Sequence, residues 1–266
     1  MVENFNFKPN YKFDDLVEIV ALLRGEGGCP WDAVQTHTTI KKDLIEETYE
    51  VIEAINKDDK ALLQEELGDL MLQAVFHTQI ETEAGVFNMD DVADGICKKL
   101  IVRHPHVFGE VKVDGVADVL TNWDDIKRQT KGQKTTTQAM QAVPRELPAL
   151  MRGTKIQKKA AKAGFDWDDV NGALDKLEEE IAELRAAIQG GTDEEAADEL
   201  GDVLFSAVNV SRFIDVDAEE ALTAATDKFF NRFSIVEQLA AKQNLDMKQA
   251  SLAQLDALWD EAKKMK

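Results

Sequence analysis

The sequence predicts an all-α protein in which one helical unit is used twice. Three observations predict it. A four-carboxylate pattern occurs twice with one spacing: Glu47-x-x-Glu50, fifteen residues, Glu66-x-x-Asp69, and again Glu180-x-x-Glu183, fifteen residues, Glu199-x-x-Asp202. Other landmarks flank both copies in the same order, the mark of an internal repeat. Apolar residues recur at helical spacing nearly throughout, and no alternating strand of useful length appears.

Taken in order, Leu16, Ile19, Val20 and Leu23 mark a first amphipathic helix. Gly28-Cys29-Pro30-Trp31-Asp32 follows it and matches Gly164-Phe165-Asp166-Trp167-Asp168, each just ahead of an acidic helix. Trp31 and Trp167 are expected to pack at helix starts. Leu44, Tyr49, Val51, Ile52 and Ile55 carry the first acid-bearing helix; Leu67, Leu70, Met71, Ala74 and Val75 carry the second. Leu200, Val203, Leu204, Ala207 and Val208 repeat that second helix, and Asp58 and Asp193 are its expected N-caps in the two copies. Lys99 and Arg103 match Lys228 and Arg232, each pair four apart, and Trp123-Asp-Asp-Ile-Lys127 matches Trp259-Asp-Glu-Ala-Lys263.

Four landmarks in one order imply duplication of a unit of roughly 120 residues, an ordinary domain size. The expected boundaries are a first domain over 1–129, a Thr/Gln-rich connector over 130–147 containing Pro144, and a second domain over 148–266. Each domain reads as a bundle of four or five helices. The acid-bearing helices are broadly apolar on their other face, so a homodimer is expected to supply helices that one unit lacks.

Composition excludes several functions. With 44% apolar residues in 266, the chain can bury a substantial core. A formal net charge of −20 argues against nucleic-acid and anionic-membrane binding, both of which reward Lys and Arg. Cys29 and Cys97 have no metal-ligand spacing and read as reduced thiols of a cytoplasmic protein. The N-terminal stretch is polar, so no signal peptide is expected, and no run of 18 apolar residues predicts a membrane span.

The acids carry the chemistry. Residues three apart share a helix face, so two such helices packed antiparallel aim four carboxylates at one point. An isolated Glu-x-x-Glu is usually a solvated face. Here Leu67, Leu70, Met71 and Leu72 surround Asp69, while Leu200, Val203, Leu204 and Phe205 surround Asp202. Acids turned toward apolar surroundings need a compensating cation. An all-oxygen ligand set favours Mg²⁺, with Mn²⁺ as the alternative, and suits chemistry on phosphates. A di-iron carboxylate bundle requires Glu-x-x-His, and none of His37, His77, His104 and His106 has Glu three residues before it. His104-Pro105-His106 reads as a structured loop. Lys228 and Arg232 share a face and form a candidate phosphate clamp, as do Lys99 and Arg103; Lys176, one turn before Glu180, reaches toward the same anion. Trp259 and Trp123 are either core residues or stacking platforms for a nucleobase.

The paired Glu-x-x-Glu and Glu-x-x-Asp patterns, with Pro148-Ala-Leu-Met-Arg152, Lys155-Ile-Gln-Lys158 and Gly164-Phe-Asp-Trp167, resemble the MazG family of nucleoside triphosphate pyrophosphohydrolases over nearly the whole chain. The resemblance implies tandem MazG-like helical domains, Mg²⁺-dependent hydrolysis of nucleoside triphosphates to the monophosphate and pyrophosphate, and a homodimer. It implies Glu180, Glu183, Glu199 and Asp202 as metal ligands, joined by Glu179 as catalytic residues. Lys176, Glu179, Glu180, Asp198, Asp202, Lys228, Arg232 and Trp259 are implied as nucleotide contacts. It also implies that the second domain is the active one. A second metal site at Glu47, Glu50, Glu66 and Asp69 is retained in the first copy, but the segment from Asp69 to Lys99 is four residues longer than its counterpart. The alternative function is a nucleotide- or metal-sensing regulatory protein with little turnover.

Overall fold

The computed structural model describes residues 5–265 except 117, 120–122, 124, 125, 127–129 and 131. Among the described residues there are helices and no strands. The chain divides into two compact units, Met1–Lys127 and Arg128–Lys266. Lys127, the expected match of Lys263, lies outside the described residues.

The first unit contains α1 (Phe13–Arg24), α2 (Pro30–Ala33), α3 (Lys41–Asn56), α4 (Lys60–Glu83), α5 (Met89–Arg103) and α6 (Pro105–Phe108). The acid-bearing α3 and α4 form a hairpin, as the short connection between them requires. Asp58 was the expected cap of α4, but it takes a left-handed turn at φ 52°, and Asp59 caps instead by accepting from Ala61 N and Leu62 N. The turn uses one more residue to reverse the chain before the helix starts. Val20, Ile40, Val75 and Phe76 form the core, with Leu16, Val17, Leu72, Ile80 and Met89 against it, which packs α1 across α4. Asn88 opens α5 with a capping box closed by Asp91. From Asp90 to Val102, α5 is exposed at every residue, Val92, Ile96, Leu100 and Ile101 included. His104 ends α5, and the segment expected to be a loop is instead a single helical turn, α6, which Pro105 starts and which contains His106.

The second unit contains α7 (Thr136–Gln141), α8 (Ala149–Lys162), α9 (Val170–Gly190), α10 (Asp193–Phe213), α11 (Ala218–Lys242) and α12 (Leu252–Ala262). The acid-bearing α9 and α10 repeat the hairpin. The cap of α10 is Thr192, in a box with Glu195, so Asp193 is the first helical residue rather than the cap. The hydroxyl and the Glu three positions later satisfy two orphan backbone donors, which a lone aspartate cannot match. Gln157 of α8 donates to the Phe205 carbonyl at 2.7 Å and fixes α8 to α10. Val236, Leu239, Ala240, Leu258 and Ala262 build a core between α11 and α12.

The expected connector over 130–147 is partly helical. Thr135 and Gln138 form a capping box that starts α7, and Ala139 and Val143 are buried. A polar composition hid this segment because two small apolar side chains suffice to seat it against α8.

Candidate active site

In the second unit, Lys41–Asn56 and Lys60–Glu83 have their counterparts in α9 and α10, and the sequence pattern places the acids on facing turns. Carboxylate oxygens of Glu180, Glu199 and Asp202 lie within 4.8 Å of one another. Glu180 is buried to 5% exposure. Glu183 joins the group by a hydrogen bond with Glu180; burial pushes its carboxyl up, Glu180 and Glu199 add to that, and Lys176 pulls it back. Glu199 Oε2 is buried without a hydrogen-bond partner. An all-oxygen ring with a buried orphan acceptor could hold a hard divalent cation such as Mg²⁺ or Mn²⁺.

Lys176 stands at the edge of the ring. Its Nζ lies 2.7 Å from Glu180 Oε1 and 2.9 Å from Glu179 Oε1. Both carboxylates hold the ammonium charged, with its pKa well above the ordinary lysine value. Glu179 and Asp198 lie on exposed positions beside the ring.

The first unit repeats the ring with Glu47, Glu66 and Asp69 within 4.8 Å. Glu50 hydrogen-bonds to both Glu47 and Glu66. Burial raises the Glu47 and Glu66 pKa values, and the neighbouring carboxylates raise them further. Where the second unit has Lys176, four residues before its first acid, the first unit has Asp43.

Among the described residues Lys228 and Arg232, the expected phosphate clamp, do not pair with the acids. Lys228 and Arg232 make no ion pair among the described residues, and α11 is exposed at every residue from Glu220 to Asn231. Phe229 and Phe230 on that stretch are 57% and 70% exposed. Trp259 of α12 packs on the α11–α12 core and lies 5.3 Å from the Phe229 ring, which in turn stacks on Phe233 at 6.0 Å. In the first unit Arg103 lies over the Trp123 ring at 5.4 Å, a cation–π contact.

Two arginines escaped the sequence reading. Arg212 of α10 donates from both terminal nitrogens to the carboxylate of Asp166, inside the Gly164–Asp168 landmark, and its Nε donates to Asn209. Gly172 lies so close to the Trp167 ring that a Cβ would meet Cδ1 at 2.4 Å. In the first unit Arg24 grips both oxygens of Glu83 at 2.8 Å and donates to the carbonyls of Asp32 and Gln35. These contacts fix the segments that lead into each acid-bearing hairpin. Partners 46 and 59 residues apart leave no local spacing signal.

Comparison with known proteins agrees with this duplicated architecture. The MazG nucleotide pyrophosphohydrolase domain matches twice, over residues 35–108 and 168–236. The nucleoside triphosphate pyrophosphohydrolase/pyrophosphatase MazG of Thermotoga maritima is 45% identical over 251 residues, covering 94% of this chain and 95% of its own. The nucleoside triphosphate pyrophosphohydrolase of Escherichia coli K12 is 41% identical over 256 residues, covering 95% and 97%. A namesake from Mycolicibacterium smegmatis is 34% identical over 169 residues, covering 63% and 51%. With the pattern, the repeated hairpin and whole-length relatives in agreement, the chain belongs to the MazG family of nucleotide pyrophosphohydrolases.

Proposed function

We propose that this chain is a cytoplasmic, Mg²⁺-dependent nucleoside triphosphate pyrophosphohydrolase that releases the nucleoside monophosphate and pyrophosphate. The observation that carries the reading is the ring of Glu180, Glu199 and Asp202, with a buried orphan oxygen on Glu199, in a chain of this family. Full-length relatives bearing that activity in their names support it. The free thiols Cys29 and Cys97 fit a reducing compartment, and among the described residues no helix is long and apolar enough to cross a membrane.

Glu180, Glu183, Glu199 and Asp202 would hold the metal, which would supply positive charge against the triphosphate. Glu179 or Glu183 positions a water for in-line attack at the α-phosphorus and takes its proton. Lys228 and Arg232 bind the departing pyrophosphate, and Trp259, with Phe229 beside it, offers aromatic faces for the base. Asp198 and Lys176 complete the nucleotide contacts. Stacking alone gives broad base selectivity, since every base has a π-face.

The working form is a homodimer. What supports this is the bare half of α11 and the apolar residues left exposed on the hairpins, such as Ile181, Leu200, Leu204 and Phe205. A projecting helix that carries the basic clamp fits a second copy whose acids it completes.

The decisive experiment is pyrophosphate release from a panel of NTPs and dNTPs with and without Mg²⁺, comparing wild type with Glu183→Ala and Glu50→Ala. Loss confined to Glu183→Ala places turnover in the second unit; loss in both means two working sites. No release from any nucleotide overturns the hydrolytic reading in favour of a nucleotide- or metal-sensing protein.

A further inference from the structure

The two acidic hairpins differ in charge four residues before the first acid of each ring, Asp43 against Lys176. Lys176 binds the buried Glu180 at 2.7 Å and Glu179 at 2.9 Å, and Glu180 is 5% exposed. A carboxylate so buried requires a cation beside it. In the absence of metal, Lys176 supplies that cation. The matching position in the first unit is Asp43, four residues before Glu47 and so on the same helix face. Asp43 makes no ion pair among the described residues. The first ring therefore has a further acid where the second has its lysine.

We propose that Lys176 is a resident counter-cation: it competes with the divalent ion for Glu180, and leaves for the phosphates of the substrate when the ion binds. The second site is thereby held in reserve, weak for free metal and strong for metal that arrives with a nucleotide. A metal that takes Glu180 as a ligand must win a carboxylate already held by Lys176. Once it does, the freed ammonium stands one helical turn from the acids, where a bound triphosphate presents its negative oxygens. Among the described residues no lysine or arginine is ion-paired with the first ring, which therefore binds free divalent cation more tightly. The metal half of this assignment rests on the ring geometry, and the phosphate half on the hydrolytic reading above.

Mn²⁺ binding to the full-length protein tests it, read by calorimetry and by the loss of the free-ion spin-resonance signal, without nucleotide. The first ring is silenced by Glu47→Gln with Glu66→Gln, so that only the second is measured. In that background Lys176→Met is expected to tighten Mn²⁺ about tenfold, the order produced by removing one positive charge a few ångströms from a divalent ion in an aqueous dielectric. Lys176→Arg returns the affinity to near wild type. The same Lys176→Met protein binds a non-hydrolysable triphosphate more weakly and shows a raised KM. Conversely, with the second ring silenced by Glu180→Gln and Asp202→Asn, Asp43→Lys weakens Mn²⁺ at the first by a similar factor. Unchanged or weaker Mn²⁺ binding in Lys176→Met overturns the proposal, as does an Asp43→Lys site of undiminished affinity. Shifts in Mn²⁺ affinity without any pyrophosphate release uphold the counter-cation and overturn only the hydrolytic reading.

Discussion

Arg212 closes a two-pronged grip on Asp166, with Nη1 at 2.9 Å, and joins the middle of the Gly164–Asp168 landmark to the far end of the acid-bearing α10. Both side chains are largely withdrawn from water, at 12% and 25% exposure, and Asn209 holds the guanidinium from below. The pair ties the segment just before α9 to the end of α10. Hydrogen bonds to charged groups contribute about 1.5–3 kcal/mol when shielded in this way. Arg212→Ala is expected to destabilise the second unit by about 2 kcal/mol, read as a shift of the calorimetric unfolding transition. A shift indistinguishable from zero would show that the landmark is held by other contacts.

Much of this fold was legible because helices and repeats are local signals. The period of Leu44, Tyr49 and Ile52, or of Leu200, Val203 and Leu204, depends only on neighbours within two turns. The acid ring was equally readable, since two three-residue spacings on paired helices leave few alternatives. Cap identity was missed by one residue at Asp58 and Asp193 because the turn geometry, φ 52° at Asp58, is set by how the hairpin closes. The Asp166–Arg212 and Arg24–Glu83 pairs were invisible for a different reason: each joins residues that only the folded chain brings together. The exposed half of α11 was legible as a helix, but nothing in its period says that no neighbour in the same chain covers it.

The acids should separate catalysis from stability. Glu180→Gln and Asp202→Asn keep shape and volume while removing the charge a metal requires. Both are expected to fold and to lose turnover by about a hundredfold or more, the scale of losing an electrostatic contact to the transition state. Because Asp202→Asn relieves repulsion with Glu180 and Glu199 and leaves the Lys176–Glu180 pair intact, that variant should unfold, without metal, at an equal or higher temperature than wild type. Wild-type turnover in either variant refutes the site.

The first ring predicts a pH signature. Burial and crowding raise Glu47 and Glu66 above their ordinary value of 4.5 in the folded chain. Folded protein then holds more protons than unfolded protein between that value and the raised one. The resulting stability is present as pH falls toward the ordinary carboxylate value and is lost as pH rises through the raised pKa. In EDTA, the unfolding midpoint should therefore climb from pH 7 toward about pH 5 by more in wild type than in Glu47→Gln with Glu66→Gln. Saturating Mg²⁺ should abolish the difference by stabilising the charged form. Parallel midpoint curves for the two proteins in EDTA would contradict this account.

Whether α11 serves its own acids or a partner's is settled by mixing two inactive proteins. Lys228 and Arg232 make no ion pair with the ring of their own chain among the described residues, and the stretch before them is bare. Glu183→Ala removes an acid; Arg232→Ala removes half of the clamp. If each site takes its acids from one copy and its clamp from the other, a mixed dimer holds one site with both defects and one with neither. Unfolding and refolding an equal mixture then makes about half of the dimers mixed, and each regains one intact site. Pyrophosphate release should return to about a quarter of the wild-type rate per protein. If instead each chain completes its own site, every site keeps one defect and the mixture stays as inactive as its components. Carrying a different affinity tag on each variant and recovering one chain with the other confirms that mixed dimers formed, so a negative result identifies a self-contained site rather than a failed exchange.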